Sequence, residues 1–483
     1  MKTTLRRAAF ALGTLALVSV IVPLKSTFAQ QDWEKKAVES IENSDFSAAV
    51  AELSALEGLS DAEKSRRDWL IELTRRIRIE FPHNETEIKE QLKEAGLDSS
   101  DEQMRAWEAS KALEMRPIDG ERRYFKHAVS NLRRIDRELA KTRPVSGGDR
   151  QRFDSRIANV RSILDASDGA GKLTHKIRNR FTCVATIPAN AVPAGETVRY
   201  WAPFPRESCG RQQNVKLIST DPADGRVAPA GDLQRCVYLE KTAVKDEPTV
   251  FTIVFETTTY AQYFSQDYLK KKAKPYLDDE FYRFYTEERL PHMVKSDKIK
   301  TWAREIVGDA TCPVEKLVRL FNAIDERYPW ASSNEYGTML CIPEYVLREG
   351  HGDCGMLSLL LISALRSEGI PAKWQSGWVA NASGVCGMHD WAEVYFEGVG
   401  WVPVDMSYGL MNDDNPSVRE FYATGLDQTR LVVNDDIGRD FTPAKTHFRS
   451  EPVDFQRGEV EWSGGNLYFP EWSFKMTVEF PEE

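Results

Sequence analysis

Apolar positions along the chain follow two different periods, and the change between them marks the first boundary. From residue 30 to about 170 they recur every three or four residues, the spacing of one buried helix face. Phe46, Ala49, Val50, Leu53 and Leu56 form one stripe, and Trp69, Leu73, Ile77 and Phe81 a second. Phe125, Val129, Leu132, Ile135 and Leu139 form a third. Pro82 and the Asp119-Gly120 pair interrupt the pattern, and a Gly-, Ser- and Asp-containing linker at 165–171 closes it. The expectation is an α-helical domain over residues 30–170.

From 171 to 264 the period falls to two. Segments 180–187, 198–204, 215–219, 234–240 and 250–259 are rich in Val, Ile, Thr, Tyr and Phe and are bounded by Pro, Gly or Asp. In the last, Phe251, Ile253 and Phe255 alternate with Thr252, Val254 and Glu256. A small β-sandwich-like domain is predicted. An aromatic-rich connector (260–285) leads into a mixed segment, residues 265–425. Its helices are expected at 296–307 and 313–324, the second with Pro at its first turn. The run Met356-Leu-Ser-Leu-Leu-Leu-Ile-Ser-Ala-Leu365 is a buried helix stopped by Gly369 and Pro371. Strands follow at 372–379, 389–396 and 401–405. Residues 426–483 alternate in places and are expected to add strands packed on this core. Gly464-Gly465-Asn466 reads as a turn, and Trp462, Tyr468 and Trp472 as packing residues. The fold class is α+β.

Composition adds two restrictions. The 483 residues are 41% hydrophobic, ordinary for a globular protein, and no internal apolar run reaches the length of a bilayer span. At the N-terminus, Lys2, Arg6 and Arg7 precede an apolar run from Ala8 to Val22, and Thr27-Phe28-Ala29 offers small residues for cleavage. Residues 1–29 are therefore read as a secretory signal peptide cut near Ala29, giving a periplasmic or extracellular protein with no membrane span after its removal. Loss of Lys2, Arg6, Arg7 and Lys25 would take the net charge from −10 to −14. So acidic a chain, without a basic stripe, is a poor nucleic-acid binder. The seven cysteines are an odd number, so at least one thiol stays free within the chain, and no disulfide pairing is assigned.

The candidate chemistry centres on Gly352-Asp353-Cys354-Gly355. A thiol at the first turn of a buried helix meets unpaired N–H groups and the positive end of the helix dipole, which favour a thiolate. Downstream, His389 opens one strand and Asp405 ends the next, so the hairpin register decides whether they meet. A four-residue loop places them on opposite faces. A three-residue loop, 397–399, pairs Phe396 with Gly400 and makes His389 and Asp405 diagonal neighbours on one face. Such loops favour a left-handed residue, and Gly398 and Gly400 are both at hand, so the odd register is predicted. A zinc site from His351, Cys354, Cys386 and His389 has acceptable ligand types, but its spacings lack the context of a structural site, and no metal is assigned. No phosphate-binding glycine loop or calcium-ligand spacing is present, and no cofactor is expected.

Gly352–Gly355, the run Leu365-Arg-Ser-Glu-Gly-Ile-Pro-Ala372, His389-Asp-Trp-Ala-Glu-Val-Tyr395 and Gly400–Asp405 together resemble the core of the transglutaminase-like superfamily, papain-like thiol enzymes. The resemblance implies a papain/transglutaminase-like catalytic core within 265–425. Cys354 would be the nucleophile, His389 the base and Asp405 its orienting partner, acting on amide bonds of a peptide or protein substrate. The Cys354 backbone N–H would supply part of an oxyanion hole, with Trp330, Asn334 and Tyr336 as candidates for the second donor. Asp390 stands where the family often has a small residue, and alternation points it away from the face of His389. Water is the default acceptor, so hydrolysis is favoured over crosslinking. The rival reading is a non-catalytic binding or scaffold protein of the same fold.

Overall fold

The computed structural model describes residues 31–142, 146–207 and 209–482. The signal peptide expected over residues 1–29 lies outside them.

The N-terminal helices form where the stripes predict. Asp61–Glu80 and Glu85–Glu94 each begin with a capping box, Ser60 with Glu63 and Asn84 with Glu87. Phe46, Ala49, Leu53, Leu70, Leu73, Ile77 and Leu132 share one core. Two details depart from the helical expectation. Asp119 and Gly120 both adopt positive φ (49° and 82°) and turn a hairpin, Met115–Ile118 against Glu121–Tyr124. This is the conformation a two-residue hairpin requires, so the pair joins strands rather than merely ending a helix. Helix Gly147–Ala166 also leaves the N-terminal unit, because its buried Val160 and Ile163 pack into the apolar cluster of the mixed segment at 265–425, not into the sandwich that follows in sequence.

Alternation in the next segment builds a sandwich, but its strands come from two distant parts of the chain. In one sheet Thr174–Ile187 pairs with Thr249–Tyr263 on one side and Ser473–Glu479 on the other. In the second, Thr197–Pro203 lies between Cys236–Thr242 and Glu459–Trp462. Phe181, Phe251, Phe255, Tyr200, Leu239, Val460 and Met476 fill the space between. Residues 426–483 therefore do not simply pack on the core, as expected. Arg430–Asn434 joins the core sheet, whereas 459–479 completes the sandwich, because its apolar face matches the uncovered faces there. Trp378, Leu431 and Val433 of the core sheet also belong to this cluster.

The core sheet is antiparallel throughout, in the order Gly400–Val404, Cys386–Phe396, Ala372–Ala380, Arg430–Asn434. Helices Asp297–Val307, Pro313–Arg327, Ile342–Glu349 and Cys354–Ser367 pack with it around one large apolar cluster. Cys354–Ser367 is the central one, with every residue from Gly355 to Arg366 buried.

The N-terminal domain grips the loop that precedes this helix. Asn131 bonds both backbone groups of Ser332 (2.8 and 3.0 Å), Glu80 accepts from the Glu335 N–H (3.0 Å), and Glu114 accepts from Asn334 Nδ2 (2.9 Å) and the Tyr345 hydroxyl. Burial raises Glu114 from 4.5 to about 7, against the pull of those two donors. A carboxyl raised on folding stabilises the native state below its unfolded pKa and loses that contribution as pH rises through the native one. Glu114→Gln is therefore expected to flatten stability between pH 4.5 and 7 and to be the more stable protein at pH 8, by on the order of 3 kcal/mol. Urea midpoints at pH 5 and pH 8 check both.

Candidate active site

Asp353 caps the cysteine helix. Its Oδ1 accepts from the Met356 N–H (3.1 Å) and the Tyr336 hydroxyl (2.7 Å), and its Oδ2 from Ser333 Oγ (2.6 Å). Cys354 is the first helical residue. Gly355 follows because the Tyr336 hydroxyl must come within 3.1 Å of its N–H, and a Cβ there would stand 2.2 Å from that oxygen.

The hairpin carrying His389 adopts the odd register, with Phe396 opposite Gly400 and Ala392 opposite Val404. Gly398 and Gly400 take φ of +84° and +114° in and beside the three-residue loop. The result is a hydrogen bond of 2.8 Å between His389 Nε2 and Asp405 Oδ2. Asp405 is fully buried. Its Oδ2 also accepts from Arg430 Nη2 (2.9 Å), and its Oδ1 from the N–H groups of Ser407 (3.2 Å) and Tyr408 (3.1 Å). Burial alone would raise its pKa, but His389, Arg430 and their hydrogen bonds hold it well below the usual carboxylate range. An ionised Asp405 accepts the Nε2 proton and leaves Nδ1 as the basic nitrogen. Arg430 is itself clamped, with Asp427 at 3.0 and 3.1 Å and its guanidinium 4.1 Å from the Tyr408 ring centre. The Tyr408 ring in turn lies 5.1 Å from that of His389. Sequence reasoning missed Arg430; its trace is Asp427-x-x-Arg430, an acid–base pair just ahead of the apolar run Leu431-Val432-Val433.

The thiol does not match the thiolate expected from its helix position. Cys354 Sγ donates to Asp390 Oδ2 at 3.3 Å. Burial first, then the Asp390 and Asp353 carboxylates, push this thiol well above its ordinary value. The helix N-terminus offsets them little, because two of its N–H groups are already engaged: Met356 with Asp353, Gly355 with Tyr336. Asp390 does face away from the His389–Asp405 pair, with Gln456 Nε2 on its Oδ1 (2.7 Å), yet its other oxygen reaches the sulfur.

Of the three candidates for a second oxyanion donor, two are engaged elsewhere. Asn334 points its amide at Glu114 and Tyr345 (2.9 and 3.0 Å). The single hydroxyl proton of Tyr336 is drawn to Asp353 and Asp390 (2.7 and 3.1 Å). Trp330 remains, bridged through its backbone to Gly352, 37% exposed, with the Arg134 guanidinium 4.5 Å from its ring centre. Among the described residues no group of three or more His, Cys, Asp or Glu side chains is arranged to hold a metal ion, and all seven cysteines are free.

A cysteine thus opens a buried helix packed against an antiparallel sheet that carries a hydrogen-bonded histidine and aspartate. Residues 300–406 match the model of the transglutaminase-like superfamily. Among solved structures, a candidate cysteine protease from Cytophaga hutchinsonii is similar over 65% of this chain and 93% of its own, at 13% identity and a TM-score of 0.44. The periplasmic domain of TgpA from Pseudomonas aeruginosa is similar over 52% and 91%, at 16% identity and a TM-score of 0.27. A candidate protease from Parabacteroides distasonis is similar over 53% and 66%, at 10% identity and a TM-score of 0.21. No curated protein matches.

Proposed function

We propose that the protein is an exported thiol enzyme that cleaves amide bonds of peptides or proteins through Cys354, His389 and Asp405, with water rather than an amine as the acyl acceptor. The observation that carries this reading is the buried chain Arg430–Asp405–His389, which fixes one tautomer of an imidazole on the strand whose next residue touches the Cys354 sulfur. An arginine and two backbone N–H groups spent on one carboxylate are hard to explain as packing alone. The thiol proton passes to His389 Nδ1 as sulfur attacks the carbonyl, and the imidazolium returns it to the leaving amine. Asp405 stays ionised and supports the cation. The Cys354 N–H, one of the unpaired donors of a helix start, faces the developing oxyanion together with the Trp330 side. Export is supported by the N-terminal sequence pattern, and among the described residues no helix is long and apolar enough to cross a membrane.

Amine release from a panel of peptide amides and unfolded proteins tests the reading. Cys354→Ala is expected to lower the rate at least about 10^3-fold. One observation favours the rival, a binding or scaffold role: the sulfur's hydrogen bond goes to Asp390 and not to the imidazole. If Cys354→Ala leaves both amine release and the biological role intact, the rival stands.

A further inference from the structure

Next to His389 on the same strand stands Asp390, on the opposite face, whose carboxylate sits at the centre of a buried polar network that includes the Cys354 sulfur. Oδ1 takes Gln456 Nε2 (2.7 Å), and Oδ2 meets both the Cys354 thiol (3.3 Å) and the Tyr336 hydroxyl (3.1 Å). That hydroxyl is shared with Asp353 (2.7 Å) and accepts from the Gly355 N–H (3.1 Å). Asp353 already has Ser333 Oγ and the Met356 N–H, so it is well supplied with donors. Asp390 is not: besides the amide of Gln456, its donors are the contested tyrosine proton and the thiol.

We propose that Asp390 is a positioning residue that stores Cys354 as a thiol, its Oδ2 accepting the Sγ–H proton on the face of the strand away from His389, so that the nucleophile is released only when the sulfur turns from Asp390 to the imidazole. This rests on the reading of Cys354 as the nucleophile. The proton balance is closed. The S–H bond breaks as Nδ1 takes the proton, the sulfur pair forms the S–C bond, and the same proton leaves on the amine. Deacylation by water restores thiol and imidazole, and Asp390 ends as it began.

The charged groups around Asp390 all bear on the pH dependence. They are His389 on its own strand, Asp353 and Cys354 on the helix, Tyr336 on the short turn Tyr336–Thr338, and Asp454 on the C-terminal loop. The Arg457–Glu335 ion pair lies beyond Asp454. Burial, then Asp454 and Asp353, push Asp390 itself upward. Two groups in contact among such neighbours do not both stay anionic, so one proton is kept between sulfur and carboxylate. Asp390→Asn replaces the carboxyl that accepts the thiol proton with an amide that can turn an N–H donor to the sulfur, which favours a thiolate.

The experiment is iodoacetamide alkylation of the full chain from pH 5 to 10, with Cys354 followed by mass spectrometry, in the native protein, Asp390→Asn and His389→Ala. The native rate is expected to have no plateau below pH 7 and still to be rising at pH 9. His389→Ala should follow it within about threefold. Asp390→Asn should label at least about tenfold faster at pH 7, as a one-unit fall in the thiol midpoint gives. A native plateau below pH 7 that His389→Ala removes would mean a resting thiolate–imidazolium pair and would overturn the proposal. So would an Asp390→Asn profile equal to the native one. Circular dichroism shows whether Asp390→Asn is folded; if it is not, the native and His389→Ala profiles decide alone. Peptide cleavage with an unmoved Asp390→Asn profile refutes only this inference, whereas a moved profile without cleavage refutes only the proposed function.

Discussion

Asp405→Asn is expected to lower kcat for amide hydrolysis by about 10^4 with little change in KM. The native carboxylate accepts from His389 and Arg430 at a single oxygen (2.8 and 2.9 Å) and from two backbone N–H groups at the other. An asparagine has one oxygen to give. If it serves Arg430 and His389, its NH2 is driven against the N–H groups of Ser407 and Tyr408. If it serves those, its NH2 faces the imidazole, holds the proton on Nδ1 and leaves no base for the thiol. KM is spared because Asp405 is fully enclosed and out of reach of substrate. Steady-state kinetics on one peptide amide, with a melting curve for the variant, check the split. An unchanged kcat would remove Asp405 from the chemistry.

Arg430→Met should be the most destabilising single change near the site, at about 3–5 kcal/mol. Arg430 is fully buried between Asp405 and Asp427, and a methionine of similar length leaves both carboxylates enclosed without their cation. The sign of the pH dependence follows from the two carboxyls. Burial opposes their ionisation, but Arg430, with His389 for Asp405 and Thr429 for Asp427, lowers both below their ordinary values. Their contribution is present above the unfolded carboxylate pKa of about 3.9 and is lost as pH falls through the native values. The gap between native and variant should therefore be largest at neutral pH and shrink below about pH 4. Urea unfolding at pH 7 and pH 3.5 measures it; an equal gap at both would assign the loss to packing.

The legible parts of this protein are those set by neighbours in sequence. The cysteine helix and the register of the hairpin follow from residues a few positions apart, above all the glycines at 398 and 400 that let a three-residue loop close. What was not legible depends on partners far along the chain. Arg430 reaches Asp405 across 25 residues, Gln456 reaches Asp390 across 66, and Glu114 takes the amide of Asn334 across 220. Nothing local to Asn334 or Tyr336 says that its polar atoms are already committed, so both looked available as oxyanion donors. The sandwich failed in the same way: alternation showed its longer strands, but not that Ser473–Glu479 would lie beside Thr174–Ile187, nor that Gly465–Leu467, read as part of a turn, is a strand. The thiolate expectation failed for an electrostatic reason. A helix end counts for little once two of its N–H groups are used and two carboxyl groups stand beside the sulfur.

The sandwich's divided origin has a consequence for the order in which the molecule is made. A ribosome delivers Cys354, then His389, then Asp405, and only afterwards Arg430, Gln456 and the strands that seal the two sheets. Strands 174–187 and 197–203 wait more than 200 residues of synthesis for their outer partners. A nascent chain that already carries Cys354, His389 and Asp405, the proposed nucleophile, base and orienting acid, still lacks the arginine that holds Asp405. It also lacks the glutamine that fixes the thiol's resting partner. Until residues 430–479 have emerged, the contacts that hold Asp405 and Asp390 in place and close both sheets cannot form.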